Sequence, residues 1–243
     1  MMSNGKKISE RKLPENGAHL AKYHRERGSD AAAAFFEEFK DYQLVDNGKV
    51  KQSESREIPL GTDVLNDIFK SIETKNGTRA YKSVSMKTVD PCEITRLQTF
   101  VFKDVLKNIE ENVHGKYSLP ALYVDEKKQI MTIYMPPITE AHGSRDVLID
   151  GMHRCYHSMD KGEEITILVC ETMNGLRLPA NMRGRMKNMQ GDLDVLDKYI
   201  PTGGRDTLER PKFSGLIPEQ FRMYSKAGFG TSGADKYSSG ENK

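Results

Sequence analysis

The sequence contains no tryptophan and only three cysteines among its 243 residues, at Cys92, Cys155 and Cys170. An odd number of widely spaced cysteines excludes a disulfide framework and a CxxC metal knuckle, and it is typical of a reducing compartment. The sequence has no apolar run of about 18 residues, so it predicts no membrane-spanning helix. Its first ten residues are charged and do not resemble a signal peptide. We therefore expect a cytoplasmic protein without a membrane partner.

The chain also has little net charge. Its 37 Lys and Arg residues stand against 35 Asp and Glu residues, which gives a formal net charge of +2. This balance excludes a protein held to nucleic acid by bulk charge alone, although it allows a local basic patch. With 37% hydrophobic and 30% charged residues, the composition is that of a globular chain long enough for one large domain.

Composition and periodicity divide the chain into five predicted segments. A polar flexible arm (1–28), with a short helix expected around 18–25, precedes a helical N-terminal region (29–79) and a core (80–178). A C-terminal extension (179–226) and a disordered tail rich in Gly, Ser and Lys (227–243) follow. Strands alternate with helices in the core, so we expect an α/β fold of the α+β kind with a mixed sheet.

Two helices are predicted in the N-terminal region. Ser29 and Asp30 have the character of a helix start, and Asp30 is expected to cap the run of alanines and phenylalanines that follows. The second helix begins at Thr62 and has apolar residues at helical spacing. These are Val64, Leu65, Ile68, Phe69 and Ile72.

Periodicity in the later part of the chain predicts further elements. They are helices over 100–112, 152–161 and 193–200, strands over 119–124, 130–135, 146–149 and 165–170, and an irregular loop over 138–145.

The strongest local signal is the run Asp150-Gly151-Met152-His153-Arg154, which links an apolar strand to a short helix. Glycine permits a backbone turn that a β-carbon would obstruct. The first amides of a helix have no partner within the helix, and the helix dipole adds positive character, so this turn favours an anion. A histidine and an arginine in the first helical turn add donors for phosphate.

This region resembles the ParB/sulfiredoxin-like superfamily. The resemblance rests on the motif at 148–154 and the following strand at 165–169, and also on the order of 89–94 and 119–124 upstream. It covers about residues 82–175. The resemblance implies a ParB/sulfiredoxin-like mixed-sheet core that binds a nucleotide, namely ATP or ADP (or CTP) with Mg²⁺, through a phosphate site at the motif.

The resemblance also implies residue roles. The phosphates are expected on the amides after Gly151, including that of Met152, with His153 and Arg154 as side-chain ligands. Arg154 is expected to be exposed, so that Arg154→Ala would abolish nucleotide binding with little loss of stability. The closest form of the motif is that of the free-serine kinases of this superfamily, so we expect a Mg²⁺-dependent phosphotransferase or nucleotide hydrolase. The acceptor is expected to be a small hydroxyl compound, a nucleotide or a DNA base.

Catalytic roles are expected for Asp150, Glu93 and His153, with either carboxylate as base, and no set of protein metal ligands is predicted. The loop before the motif strand contains Ser144 and Arg145, which are expected to close over a substrate.

Sulfiredoxin chemistry is not expected. The reactive cysteine of sulfiredoxins directly precedes the His-Arg pair, and in this chain that position is Met152, which cannot act as a nucleophile. Cys155 lies beyond the pair on a different face of the predicted helix.

A DNA-binding or nuclease factor of the same class is the alternative function. Arg183, Arg185 and Lys187 alternate with methionines in a short basic stretch. A DNA-binding surface would require this stretch on the same face as His153 and Arg154.

Overall fold

The computed structural model describes residues 15–45, 49–50, 54–72, 79–96, 100–112, 119–173, 186–191 and 193–197. These residues form a mixed α/β fold of the α+β class, as predicted. Their α-helices are Gly17–Arg25 (α1), Asp30–Glu37 (α2), Thr62–Lys70 (α3), Lys103–Asn112 (α4) and Met152–Lys161 (α5). Within the described ranges, no helix combines the length and apolarity needed to cross a membrane.

The central element is a mixed sheet of six strands. In spatial order these are Lys187–Asn188 (β11), Thr95–Arg96 (β4), Arg145–Asp150 (β9), Ile138–His142 (β8), Ile165–Thr172 (β10) and Tyr81–Val89 (β3). A second sheet contains Gln43–Leu44 (β1), Ile130–Tyr134 (β7), Ala121–Asp125 (β6) and Arg56–Pro59 (β2). Asp194–Leu196 (β12) pairs in parallel with Phe100–Phe102 (β5).

Both faces of the six-stranded sheet are covered by apolar side chains. Consecutive residues of a strand point to opposite faces, so Ile167 and Leu168 of β10 enter different clusters. Leu168 joins the larger cluster, which contains residues of α1, α2, α3 and the four-stranded sheet. Ile167 joins a second cluster formed with residues of α4 and α5. The candidate site lies on this second side.

Part of the predicted flexible arm is an ordered helix. Residues 17–25 form α1, which agrees with the short helix expected there, and its side chains Leu20, Ala21 and His24 are fully buried. At Gly17 the helix passes so close to the backbone of Phe39 that a Cβ atom would lie 2.0 Å from the carbonyl oxygen. Helix α1 is therefore part of the core, and the expectation that this stretch is mobile was wrong.

The predicted helix over the alanine and phenylalanine run is confirmed as α2, but its cap differs from the expectation. Asp30 is the first helical residue rather than the cap. The carboxylate of Asp67 in α3 accepts hydrogen bonds from the amides of Ala31 at 2.8 Å and Ala32 at 3.3 Å. A residue 36 positions away thus satisfies the helix start.

The boundary predicted at residue 79 does not separate two hydrophobic cores. Strand β1 pairs with β7, with Gln43 opposite Ile130, and β2 pairs with β6, with Arg56 opposite Val124. The larger cluster contains residues from Leu20 to Cys170. The N-terminal region and the predicted core therefore fold around the same interior.

The loop predicted over 138–145 is instead β8 and the turn after it. Glu140 interrupts the apolar pattern that marks a buried strand, although its side chain is only 3% exposed. Its carboxylate accepts hydrogen bonds from the Tyr81 hydroxyl at 2.8 Å and from the His142 ring at 2.9 Å. These two bonds satisfy the buried charge and allow the strand to form.

Two predicted helices are also corrected at β5 and β12. The helix predicted over 100–112 begins only at Lys103, because residues 100–102 pair with β12. The helix predicted over 193–200 was wrong for 194–196, which form β12. The tail predicted over 227–243 and most of the extension lie outside the described residues.

Candidate functional site

The turn between β9 and α5 is shaped by Gly151. This residue has φ 94° and ψ 21°, in the left-handed region that favours glycine. A Cβ atom at this position would lie 2.6 Å from Cβ and 2.8 Å from Cα of Pro137. The glycine therefore permits both the backbone turn and the close passage of the chain before β8.

Helix α5 starts directly after this turn. Gly151 has no side chain with which to cap it, and the first amides of a helix lack partners within the helix. The helix ends as predicted at Gly162, which is also in the left-handed region. Met152, Arg154, Cys155 and Ser158 form its buried face.

Arg154 does not extend into solvent as expected for a phosphate ligand. Its residue surface is 7% exposed, and its guanidinium lies beneath α5. It donates hydrogen bonds to the carbonyl oxygen of Met135 and, at 2.9 Å, to the carboxylate of Asp150. The guanidinium also lies 5.9 Å from the ring centre of Tyr134. Arg154 therefore ties α5 to the ends of β7 and β9, and its predicted exposure was wrong.

His153 is engaged with the start of α4. Its Nε2 accepts a hydrogen bond of 3.1 Å from the Phe102 amide, and its ring stacks on the Phe102 ring at 5.8 Å. Burial lowers the pKa of His153 from 6.5 to about 4, while Asp104 raises it and Arg154 lowers it to smaller extents. The imidazole is therefore neutral near pH 7 and acts as an acceptor.

The low pKa of His153 makes folding pH-dependent. Between pH 6.5 and 4 the native state binds fewer protons at His153 than the unfolded chain does. The contribution of the neutral imidazole to the free energy of unfolding is therefore complete above pH 6.5 and is lost as the pH falls to 4. The full effect is roughly 3 kcal/mol. We expect urea unfolding of His153→Gln to show a weaker dependence on pH than the wild type, because glutamine accepts the same hydrogen bond without titrating.

His24 provides the background for that comparison. Burial, assisted by Arg27, lowers its pKa to about 3, so it contributes an acid-dependent loss in both proteins. Equal pH dependence in the wild type and in His153→Gln would contradict the assignment to His153.

Helices α4 and α5 lie side by side and run parallel. At one end, His153 bonds to Phe102, which directly precedes α4. At the other end, Lys161 forms an ion pair of 3.0 Å with Glu110. The N-terminal ends of both helices are therefore neighbours, and their positive dipole ends lie together. Such an arrangement favours an anion between them.

An open groove of about 200 Å³ lies between these helices. Its lining combines cationic, acidic and apolar side chains. These are Lys103, Leu106, Lys107, Glu110, Tyr156, His157, Asp160 and Lys161.

The remaining predicted site residues, one carboxylate and two loop residues, lie at different distances from the motif. Glu93 is exposed on a short 3₁₀ turn, Pro91–Glu93, that packs against α5. Ser144 is exposed in the turn between β8 and β9, and Arg145 is exposed at the start of β9. Arg145 and Asp150 are the opposite ends of β9, so about 17 Å separates them along the strand. The structure does not bring the predicted substrate loop to the motif.

Cys155 is not suited to thiol chemistry. It is fully buried in α5, and burial raises the pKa of its thiol to about 12. A protonated and inaccessible thiol is a poor nucleophile.

No cluster of three or more His, Cys, Asp or Glu side chains that could hold a metal ion occurs in the described part of the chain. Magnesium in phosphate-transfer sites commonly uses only one or two carboxylates, with phosphate oxygens and waters as the other ligands. Asp150, whose side chain is 23% exposed beside the start of α5, is compatible with that arrangement.

The basic stretch can be placed only in part. Arg183 and Arg185 lie outside the described residues, whereas Lys187 is exposed on the edge strand β11. A DNA-binding surface requires the basic stretch on the same face as His153 and Arg154, and this placement therefore stays a prediction.

Sequence reasoning missed the contribution of α4 to this site. Phe102 and Lys103 were assigned to the interior of a helix, whereas they mark its beginning. Nothing in the local pattern indicated that Phe102 would meet His153.

Comparison of the chain with protein-family models, curated proteins and solved structures gave no match.

Proposed function

We propose that the protein binds a nucleotide, with its phosphates at the adjoining starts of α4 and α5, as a member of the ParB/sulfiredoxin-like class. The observation that carries this proposal is the parallel placement of two ten-residue helices, joined at their N-terminal ends by the His153–Phe102 hydrogen bond. Two like dipole ends side by side repel each other, and a phosphate group offsets that repulsion.

The ligands of the phosphate are main-chain groups in this proposal. The amides of Met152, His153 and Arg154 open α5, and no side-chain cap from Gly151 occupies them. The side chains of His153 and Arg154 position the two helices and the turn instead. Lys103, the first residue of α4, supplies an exposed cation at the same end.

The proposed reaction is Mg²⁺-dependent transfer of a phosphoryl group to a hydroxyl compound or to water. The acceptor oxygen forms a bond to the terminal phosphorus of ATP or ADP as the bridging P–O bond breaks, and the acceptor proton passes to a carboxylate. Asp150 is the proposed base or metal-proximal carboxylate, because it directly precedes the phosphate turn. Glu93 is the second candidate, on the 3₁₀ turn that packs against α5.

The test is a calorimetric titration with ATP, ADP and CTP in the presence of Mg²⁺. We expect micromolar binding of at least one nucleotide to the wild type. Lys103→Glu places a negative charge at the shared helix starts. It should weaken binding at least tenfold, because the carboxylate repels the phosphate and itself offsets the positive dipole ends. Arg145→Glu makes the same charge change at the far end of β9 and should leave binding unchanged.

Two results would overturn the proposal. Absence of binding by all three nucleotides would exclude the phosphate site and favour the alternative of a DNA-binding protein. In that case, affinity for DNA should be measurable and should fall steeply as the salt concentration rises. Equal loss of binding in Lys103→Glu and Arg145→Glu would show a general charge effect without a localised site.

A further inference from the structure

An acidic segment lies against the start of α4. Residues 193–197, here termed the acidic strap, contain β12, which pairs with β5 so that Leu196 lies opposite Phe102. Leu193 and Leu196 pack against the second core cluster. Directly after β12, the carboxylate of Asp197 lies 2.5 Å from the ammonium of Lys103. The strap is thus anchored by apolar contacts and presents its charge to the first residue of α4.

This ion pair involves the same cation that the proposed phosphate would attract. Lys103 and Asp197 have side chains that are 60% and 85% exposed, so little burial opposes their separation. An exposed pair of this kind is weak and exchanges readily with other ions. A phosphate at the helix starts carries more charge than a carboxylate and would compete for Lys103.

We infer that the acidic strap is an intramolecular competitor of the anionic ligand at the starts of α4 and α5. Asp197 neutralises Lys103 when no ligand is bound, and the phosphate displaces the carboxylate when it binds. This inference rests on the proposed function. Its consequence is that the strap sets the affinity of the site, so any change that withdraws Asp197 increases that affinity.

The test is a calorimetric titration of the full chain with inorganic pyrophosphate at low ionic strength. Asp197→Asn should bind about two- to fivefold more tightly than the wild type, the range expected for removal of an exposed ion pair. Asp194→Asn is the matched control, because it removes one exposed negative charge from the same strap, three residues before Asp197. Its affinity should equal that of the wild type.

Combining Asp197→Asn with Lys103→Gln tests whether Asp197 changes the affinity through its contact with Lys103. In Lys103→Gln, pyrophosphate should bind more weakly, and addition of Asp197→Asn should cause no further change, because the two substitutions act through one contact. An equal gain from Asp194→Asn and Asp197→Asn would overturn the inference in favour of general charge.

Failure of the strap and failure of the site give different results. Pyrophosphate binding that is identical in the wild type and Asp197→Asn would overturn the strap alone and leave the proposed function standing. Absence of pyrophosphate binding in both proteins would overturn the phosphate site and, with it, the strap.

Discussion

Gly151→Ala should lower the free energy of unfolding by about 3 kcal/mol or more, because two separate costs coincide at this position. A residue with a side chain is strained at φ 94°, and its Cβ would lie 2.6 Å from Cβ and 2.8 Å from Cα of Pro137. The second distance involves backbone, which cannot move aside like the end of a flexible side chain. Chemical denaturation monitored by circular dichroism measures the loss.

Gly162→Ala separates the two costs. Gly162 has φ 66° at the other end of the same helix, and a Cβ there would meet no atom within 4 Å. The substitution should therefore cost only about 1 kcal/mol, from backbone strain. If both alanine variants lost the same stability, the close passage of Pro137 beside Gly151 would be contradicted.

Arg154→Ala should lower the free energy of unfolding by about 3–5 kcal/mol, since it removes one partner from a buried polar contact. The guanidinium is buried between α5 and the ends of β7 and β9, where it bonds to Met135 and Asp150. Its loss leaves a carbonyl oxygen and a carboxylate without their donor and opens a cavity beneath α5. Urea unfolding measures the effect.

Arg145→Ala is the matched control, because it removes an exposed arginine from the other end of the strand that contains Asp150. It should change stability by less than about 0.5 kcal/mol. An Arg154→Ala protein as stable as the wild type, but without nucleotide binding, would restore the exposed phosphate ligand expected from the sequence.

The burial of Arg154 also affects how binding data are interpreted. The sequence predicts that Arg154→Ala loses its ligand with little loss of stability, whereas its burial predicts loss of structure. For this reason Lys103, which is exposed, is the better position for a test of the phosphate site.

Elements with strong local signals could be predicted from the sequence. Helix α5 is bounded by two glycines, and the apolar stripe of α3 repeats at helical spacing, so each has a signal within ten residues. Strand β10 is apolar over residues 165–170 apart from Thr166. Such features need no information from distant parts of the chain.

Elements that depend on distant partners could not be predicted. Strand β8 contains a buried Glu140, which bonds to the nearby His142 ring and to the hydroxyl of Tyr81, 59 residues away. The cap of α2 comes from Asp67, and β5 needs β12. In each case a polar or ambiguous local pattern is satisfied by a contact that periodicity does not detect.

The features of the candidate site also fall into two groups, those that local residue types predict and those that depend on distant contacts. The turn at Gly151 follows from residue types alone, because only glycine suits its backbone and the close approach. The directions of Arg154 and His153 do not, because an arginine in the first turn of a helix can reach outward or beneath the helix. The structure resolves this through Met135 and Phe102, which lie 19 and 51 residues away along the chain.

The interior shared by α1, α2 and β10 has a consequence for how the chain acquires its structure. During synthesis, Leu20 and Phe36 are made long before Leu168 and Cys170, the strand residues that complete their cluster. The early helices contact one another, but the apolar side that meets β10 stays uncovered until about two thirds of the chain has left the ribosome. Pairing over such separations is slow because distant segments must meet before any contact is gained. The growing chain therefore most needs protection from aggregation while only its N-terminal part has been made.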